Sequence, residues 1–572
     1  MASESMPLGI EVPRSPMESP PGIAALFVIS FDIRTGYVVS WKRTVPEVDV
    51  EGVVEYKSLP SGLHNVTEDL VYFVHEQYAG ISAFLNYPAA EAERNAKMFA
   101  IGVLVPLSTG RLGKSWRHAP KLRELTQKYA EDMSNMEPLT KYWDAYRIGG
   151  TESSAPDSPI DSPLSLRFRP GERLDSNRTR AFSDALVLDN FRPALTPFHP
   201  ASSLPDFLES FGPLVFPLYR AALLRKRILF MGEVPVHTPC NYVYDLSLLA
   251  SLPNSLLHLL PADRTPPLRP RPLFNVGIHD IPYLSSFDPS RNMQDPETDP
   301  SWIACSTDTV LTMKPDLFDI LITLPPPHTK QAEERTFPKL SLINHTNPQH
   351  HLPLQATQRD ARRHAMLRRG LRTSTDSDTD STYSSSPVVE PVSWTRLAYT
   401  SFMWWASAGE NRDGLTEEEE EAQLEQDSRL LASVENLSLE NDQPPEVAMV
   451  AYFRRMTAQI FGTLAGVIAR NDEDGYNEPY ADDDDESVSR SRSIGDESPL
   501  LRQRSGTSSQ RDSLRESGCE VVTVSVADMA EMGLDVWSVT DRVFVEELIG
   551  LWWGREARVD CARIRCCGIS VL

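Results

Sequence analysis

The sequence predicts a mixed α/β and α+β protein with two folded regions, a helical and mixed C-terminal part, and long disordered insertions. In the first region, a hairpin and further apolar runs of strand length precede the helices. In the second region, strands alternate with helices. The 572 residues include 46 prolines and long Ser/Asp/Glu/Arg stretches, a composition that buries too little apolar surface to fold throughout.

The first folded region is predicted over residues 23–149, after a disordered tail at 1–22. Two apolar runs separated by the turn IRTG indicate a β-hairpin. Val50–Lys57 is a candidate short helix. The predicted strands are Ala25–Asp32, Tyr37–Thr44, Asp69–Val74, Gly80–Asn86 and Lys97–Pro106, and two helices divided near Glu137 fill Trp116–Tyr146. This order predicts one sheet with helices on one side.

The second folded region is predicted over residues 201–325, after a linker at 150–200. At its centre Phe211–Gly232 reads as a buried helix that runs into a buried strand. Pro217 either kinks this helix or begins it, and the cations Arg225–Arg227 close it. The region opens with Leu204–Phe211, and the other predicted elements are a helix at Tyr242–Leu252 and strands at Leu273–Ile278, Trp302–Ser306 and Leu317–Leu324. Such alternation favours a mostly parallel or mixed sheet covered on both faces.

The C-terminal half is predicted to alternate between order and disorder. Residues 326–393 read as a disordered linker whose basic stretch, Arg359–Arg372, either contacts anionic lipid or folds onto acidic tracts of the chain, and we favour the second. Residues 394–470 form a predicted helical region, in which Glu417–Glu440 is helical or disordered and Val447–Arg470 is an amphipathic helix. Residues 471–518 are predicted to be disordered, and 519–572 to form a strand, a helix and a strand.

An aromatic stretch opens the helical region. Trp394–Trp405 is a candidate amphipathic helix whose aromatic side chains either face lipid or, as we favour, pack into the fold.

Composition narrows the function classes. The net charge of −24 resides largely in the tails and linkers, which argues against nucleic acid as a partner. Six cysteines without a secretory leader indicate a reducing compartment. Since no run of 18 apolar residues is uninterrupted, we expect a cytoplasmic protein.

Three motifs imitate chemical sites. Ser108–Ser115 (STGRLGKS) ends like a phosphate-binding loop, but its first glycine is missing, so a solvated strand-to-helix turn is the better interpretation. His345, His350 and His351 lack Cys or carboxylate partners at zinc-ligand spacing. Cys305 lies in an apolar strand, where a cysteine is usually a small buried hydrophobe. We therefore predict no catalytic residue, no metal site and no cofactor.

Cysteines near the C-terminal end allow a modification. Cys566 and Cys567 lie beside Arg563 and Arg565 and are candidates for reversible lipidation, with burial in a strand as the more ordinary alternative. Added phosphate would change the charge of the linkers at the Ser-Pro pairs. These pairs begin at Ser158, Ser162, Ser386 and Ser498.

Several stretches resemble DENN domains, in the LCHN-like branch that includes fungal relatives. The resemblance rests on FGPLVFPLYRAALLRKRILF at the centre and on ALFVISFDIRTGYVVSW, YKSLPSG and the Tyr72-Phe73 pair near the start. SWIAC followed by KPDLFD, and VEELIGLWWG near the end, are similar to the same branch. The likeness covers 23–330 well and 394–572 in pieces.

This resemblance implies a longin-like module at 23–149, a central DENN module at 201–325 and a helical and mixed C-terminal part. It further implies exchange of guanine nucleotide on a Rab-type small GTPase in vesicle traffic, at a crevice between the first two modules. Such exchange requires no acid, base or metal. The alternative is a non-catalytic adaptor with phosphorylated disordered segments. In either case the protein would be cytoplasmic, with peripheral contact to endomembranes.

Overall fold

The computed structural model describes most of the predicted folded regions. In the N-terminal and central parts it describes residues 20–149 except 33, 60, 89–95 and 110; 186–189 and 192–195; 198–286 except 263–265; and 301–370 except 328–335 and 346–350. In the C-terminal part it describes residues 388–391, 396–397, 422–431, 445–477, 521–560, 565–566 and 569–570.

The described residues of the N-terminal region, 20–149, form five strands and three α-helices. The strands are β1 (Ala25–Asp32), β2 (Gly36–Thr44), β3 (Glu68–His75), β4 (Tyr78–Pro88) and β5 (Ala96–Pro106). The helices are α1 (Val54–Ser58), α2 (Ala119–Glu131) and α3 (Glu137–Tyr146). The hairpin, the three further strands and the division of the helices at Glu137 are confirmed. A separate short hairpin follows, formed by β6 (Leu186–Asp189) and β7 (Arg192–Leu195).

The central region, residues 198–345, is an α/β unit. Its helices are α4 (Leu204–Phe211), α5 (Val215–Leu223), α6 (His237–Leu249) and α7 (Ile281–Leu284). Its strands are β8 (Ile228–Met231), β9 (Arg271–Asn275), β10 (Trp302–Ser306), β11 (Ile320–Thr323) and β12 (Lys339–Ile343). The buried helix and strand predicted around Phe211–Gly232 are confirmed, and Pro217 lies in the first turn of α5, where a proline is tolerated. Helix α6 begins earlier than the predicted Tyr242.

The C-terminal region contains β13 (His351–Pro353) and α8 (Gln358–Gly370), then α9 over 422–431 and α10 (Pro445–Asn477). It ends with β14 (Val522–Val524), α11 (Val526–Glu531), α12 (Val539–Trp553), β15 (Ala557–Val559), β16 (Arg565–Cys566) and β17 (Ile569–Ser570). The amphipathic helix predicted at Val447–Arg470 is confirmed and extends further in both directions. The aromatic stretch Trp394–Trp405 lies outside the described residues except for Arg396 and Leu397.

One eleven-stranded sheet runs through both folded regions. Its strand order is β13-β12-β11-β8-β10-β9-β3-β4-β5-β1-β2. The N-terminal strands pair antiparallel, whereas β8 pairs parallel with β10 and β11, and β10 pairs parallel with β9. The two halves meet where β3 and β9 pair antiparallel through Phe73 and Phe274. The predicted regions therefore share one sheet.

Both faces of the N-terminal sheet are covered, which corrects the prediction of helices on one side only. Leu26 and Val28 belong to the larger core, together with the residues of α2 and α3. Phe27 and Ile29 belong to a second core with residues of α1 and the segment around it. Consecutive residues of β1 alternate between these two faces, so the strand is apolar throughout.

The disordered linker predicted over 326–393 was wrong for the residues that form β12, β13 and α8. The basic stretch is ordered because its charges are paired inside the protein. Arg359 and Arg363 of α8 are buried, and both guanidinium groups contact the Asp427 carboxylate of α9, at 3.4 and 2.7 Å. A buried arginine needs such a partner, so the favoured interpretation that this stretch folds onto an acidic tract is confirmed.

A buried ionic cluster joins the central and C-terminal regions. Arg220 of α5 donates two hydrogen bonds to the Asp360 carboxylate of α8, at 2.9 and 2.6 Å. Its Nε lies 3.2 Å from the Asp541 carboxylate of α12. Nearby, Tyr219 and Thr457 share a hydroxyl hydrogen bond of 2.6 Å between α5 and α10. Three helices distant in sequence thus converge on α5.

Replacing Arg220 by methionine is expected to destabilise the protein by about 3–5 kcal/mol, because two buried carboxylates lose their cation. Lys226→Met is the matched control, since Lys226 pairs with Glu547 at the surface and its loss costs at most about 1 kcal/mol. Urea unfolding measures both. Equal effects of the two substitutions would contradict this account of the cluster.

The start of the described chain is held by a buried histidine. His118 is fully buried and contacts the Tyr142 hydroxyl at 2.6 Å through Nδ1 and the Pro21 carbonyl at 3.0 Å through Nε2. Burial lowers the pKa of His118 from 6.5 to about 4. The folded protein therefore keeps this ring neutral at pH values where the unfolded chain protonates it.

Stability should consequently fall as the pH drops from about 6.5 to about 4, because the unfolded state binds the extra proton. His118 accounts for about 1.4 kcal/mol per pH unit of this slope. His118→Gln should reduce the slope by that amount. Urea unfolding at a series of pH values tests this, and an unaltered slope in His118→Gln would show that His118 is not the group responsible.

Candidate functional site: the seam between the two halves of the sheet

The carboxyl ends of the parallel strands β8, β9 and β10 meet the N-terminal region along a seam. In open α/β sheets this edge is where ligands and partners usually bind. Loops after β9 and β10 face α1 and the loop that follows it, as the contacts below show. Because the described main chains of the two regions pair in the sheet only at Phe73 and Phe274, side chains make most of the described connection.

Asp69 of β3 caps a helix of the other region. Its carboxylate accepts hydrogen bonds from the backbone N–H groups of Val236, at 2.5 Å, and His237, at 3.2 Å. These groups begin α6, whose own N-cap residue, Val236, offers no side-chain acceptor. Burial raises the pKa of Asp69, while the N–H groups of Val236, Leu70 and His237 oppose that rise. Because Asp69 supplies the missing cap, α6 begins five residues earlier than predicted.

Lys57 of α1 forms a second buried connection. Its ammonium group lies 2.7 Å from the Asp280 carboxylate and donates to the Val74 carbonyl at 2.6 Å. The Asn275 side chain donates to the Lys57 carbonyl at 3.1 Å. Both charged groups are buried and paired, so the start of the loop after β9 is fixed against α1.

Asp308 connects the loops above these buried contacts. Its carboxylate accepts from the Ser61 hydroxyl and from the Ile278 N–H, the latter at 3.3 Å. The Thr307 hydroxyl donates to the Ser61 carbonyl at 2.8 Å. The loops after β9 and β10 are therefore tied to each other and to the N-terminal region.

A row of aromatic rings crosses the seam at the surface. The ring centroids of Phe31 and Tyr37 lie 5.4 Å apart, and those of Tyr37 and Tyr56 lie 6.0 Å apart. Tyr56 stacks on His279 at 3.8 Å. Burial, and then the charge of Asp308, raise the pKa of Tyr37. The row links the β1–β2 hairpin to the loop after β9.

Exposed apolar side chains occur in the segments that carry this row, and we name them, together with its rings, the seam surface. Large apolar side chains usually cost free energy when they face water, so a group of them marks an interaction site. The exposed members are Phe31 of β1, Ile278 and Tyr283 in the connection after β9, and Val310 and Met313 in the connection after β10; Met313 is 77% exposed.

The motifs that the sequence singled out lie elsewhere. In the STGRLGKS segment, Leu112, Gly113 and Lys114 have positive φ and the chain turns back towards the end of β5. The predicted turn is present but packed rather than solvated, since Leu112 and Ser115 are buried. No group of three or more His, Cys, Asp or Glu that could hold a metal occurs in the described part of the chain.

Of the predicted histidine cluster, His345 contacts Asp319 at 3.0 Å, His351 is exposed and His350 lies outside the described residues. Cys305 is buried as predicted, with its sulfur 3.6 Å from that of Cys240. Cys566 ends β16 without a described side chain and Cys567 is not described, so their lipidation stays a prediction. The structure has no described helix of the length and apolarity that crossing a membrane requires.

Sequence reasoning did not single out the residues that build the seam. The motif YKSLPSG, which includes Lys57 and Ser61, was noted only because it resembles a family motif. Asp69, Asp280 and Asp308 carry no local signal, because each acts on a group distant in the chain.

Two family models match the sequence. The model described as "DENN domain-containing protein 11" matches residues 26–334, which include the whole seam. A "domain of unknown function" matches residues 389–572.

Relatives match different shares of the chain. A protein of Xenopus laevis named "DENN domain-containing protein 11" is 30% identical over 56% of this chain and 64% of its own length. A Danio rerio protein of the same name is 28% identical over 52% and 53%. The matches thus span between about half and two thirds of these relatives. The "Uncharacterized protein ANR2" of Saccharomyces cerevisiae is 23% identical over 94% of this chain and 93% of its own length.

Replacing Asp69 by alanine should destabilise the protein by about 2–3 kcal/mol, because the α6 cap is lost and two buried N–H groups lose their acceptor. Hydrogen exchange at the amides of Val236 and His237 should accelerate as well. Asp132→Ala is the matched control, since that exposed carboxylate caps only a local turn, and it should leave both readouts unchanged. Unchanged exchange at α6 in Asp69→Ala would mean that the cap does not hold the helix start.

Proposed function

This chain belongs to the DENN domain-containing protein 11 family, and from that membership we propose that it accelerates the release of GDP from a Rab-type small GTPase. DENN proteins typically act as exchange factors for Rab GTPases. In this proposal residues 23–149 are the longin-like module and residues 201–325 are the central DENN module, and the GTPase binds at the seam surface.

The seam surface supports this proposal because it offers apolar contacts on a rigid base. Phe31, Tyr37 and Tyr56 come from the N-terminal region, and Ile278, Val310 and Met313 come from the central region. A partner that contacts both sets spans the seam. Buried pairs beneath, such as Lys57 and Asp280, fix the loops before binding, so little order has to be gained in the complex.

Nucleotide exchange of this kind is a matter of differential binding. A surface that holds the nucleotide-free GTPase more tightly than the GDP-bound form lowers the barrier to GDP release. The protein breaks no covalent bond, and the seam surface needs no acid, base or metal for this activity. If the chain acts on a Rab-type GTPase, its proposed location is the cytoplasm, in peripheral contact with endomembranes. Lipidation at Cys566 or Cys567 would strengthen that contact.

The test is release of fluorescent GDP from a panel of purified Rab GTPases, with the full chain as catalyst. We expect acceleration for at least one Rab. The double substitution Ile278→Asp and Met313→Asp should reduce kcat/KM at least about tenfold, because charges replace two central apolar contacts of the interface.

Val539→Asp is the matched control, because Val539 is 64% exposed on α12, outside the seam, and its substitution should not change the rate. If the chain binds the GDP-bound and the nucleotide-free GTPase equally tightly and accelerates GDP release from no Rab, the result contradicts exchange and supports the adaptor function. An equal loss of kcat/KM in Val539→Asp and in the seam variant would show that the GTPase does not bind at the seam surface.

A further inference from the structure

Two cysteine thiols face each other in the core at the seam. Cys240 of α6 and Cys305 of β10 are both free and buried, and their sulfur atoms lie 3.6 Å apart. They are 65 positions apart in the sequence, so packing alone brings them together. A disulfide bond holds its sulfur atoms about 2.05 Å apart, so this pair is about 1.5 Å from covalent contact. A short closure would therefore join the two elements.

Helix α6, which carries one of the thiols, spans the seam. It packs against β3 of the N-terminal region and against β9 and β10 of the central region. Asp69 of β3 accepts from the N–H group of His237, the first residue of α6, and Cys240 follows three residues later. On the other side, Cys305 precedes Asp308, which ties the seam loops, by three residues. Short stretches of chain thus connect the thiol pair to both of these seam contacts.

The reduced thiols add a hydrogen bond between the two regions. The Cys240 S–H group donates to the Tyr72 carbonyl of β3, at 3.6 Å. Because Cys240 has one S–H donor, the contact between the sulfurs is made by the Cys305 S–H, which donates to the Cys240 sulfur. Tyr72 is next to Phe73, through which β3 pairs with β9. The thiol of α6 therefore supports the seam beside the described main-chain pairing of its two strands.

Burial sets the reactivity of this pair. It raises the pKa of the Cys305 thiol, and the contact with Cys240 raises that pKa further, so this sulfur stays protonated at neutral pH. Because the thiolate is the form that reacts with oxidants, the pair is slow to oxidise. Disulfides that form in reducing compartments are usually transient and sense oxidants. The pair therefore suits a response to a strong oxidant such as a peroxide, and not a permanent cross-link.

We propose that Cys240 and Cys305 form a reversible disulfide bond when a peroxide reaches the folded protein. The first sulfur attacks one peroxide oxygen, the oxygen–oxygen bond breaks, and a sulfenic acid and water form. The second sulfur then attacks the sulfenic sulfur, the sulfur–oxygen bond breaks, and a second water leaves. The two thiols lose two protons and two electrons, and one hydrogen peroxide is reduced to two water molecules.

The disulfide changes what α6 holds. Both S–H donors are consumed, so the hydrogen bond to the Tyr72 carbonyl is lost, while a covalent bond attaches α6 to β10. The helix is then held more firmly to the central region and less firmly to the N-terminal region. Oxidation therefore loosens the seam. Neither step involves a GTPase, so the oxidation is independent of the proposed exchange activity.

The test exposes the full-length folded chain to hydrogen peroxide, alkylates the remaining thiols and digests the product without a reductant. Mass spectrometry should identify a peptide that links Cys240 with Cys305, and dithiothreitol should separate its two parts. The other cysteines of the chain are Cys519, Cys561, Cys566 and Cys567. Links from Cys240 to these should be at least about tenfold rarer, because sulfurs held side by side react at a high effective concentration.

Two matched variants show whether the disulfide loosens the seam. Cys305→Ser cannot form the bond but keeps the Cys240 S–H donor and places a hydroxyl where the second thiol was. Cys240→Ala lacks the donor to Tyr72 in either state. Hydrogen exchange is measured at amides of 72–75 and 273–276, which flank the pairing of β3 with β9. Peroxide should speed this exchange at least about threefold in the wild type, since a hydrogen bond across the seam is lost, and leave it unchanged in Cys305→Ser.

Cys240→Ala should exchange faster than the wild type before peroxide is added and should not respond to it. Methionine oxidation is common to all three proteins, so it cannot produce a difference between the wild type and Cys305→Ser. Absence of the link between Cys240 and Cys305, or a link that forms only after unfolding in urea, would overturn the proposal. Equal acceleration of exchange in the wild type and in Cys305→Ser would show that the disulfide does not loosen the seam.

Discussion

Two buried charged groups of the N-terminal region hold the seam on which the rest of this structure depends. Asp69 caps α6 and Lys57 pairs with Asp280, each across the boundary between the regions. Among the residues that the structure describes, the sheet is continuous there through the single pairing of Phe73 with Phe274, so the main chain alone fixes little. Buried charges tolerate few geometries, because an unpaired charge in the interior is costly. The loops that carry the seam surface therefore have a defined position before any partner binds.

Buried ion pairs also join the C-terminal region to the central region. Arg220 lies between Asp360 and Asp541, which belong to two helices far apart in sequence. Asp427 in turn lies between Arg359 and Arg363 of α8. Charge-rich segments that would remain solvated alone are ordered once each cation meets its carboxylate. The C-terminal helices consequently pack on α5 as an integral part of the fold.

This architecture agrees with the distribution of similarity along the chain. The DENN domain-containing protein 11 model ends at residue 334, whereas the yeast relative aligns over 94% of the chain. The seam surface lies within residues 26–334, which that family model matches. A cavity beside Trp553 draws its walls from both the central region and the domain of unknown function.

The sequence by itself determined the local elements of this protein, because apolar periodicity and turn residues report the immediate neighbourhood of each residue. The hairpin of β1 and β2, the unit around Phe211–Gly232 and the helix at Val447–Arg470 were predicted on that basis. Only the tertiary structure decided that the two regions share a sheet, that α8 is ordered, and that Asp69 caps a helix 167 residues away. The physical reason is that a buried carboxylate is defined by the donor it meets, and that donor is set by packing rather than by neighbours in the chain.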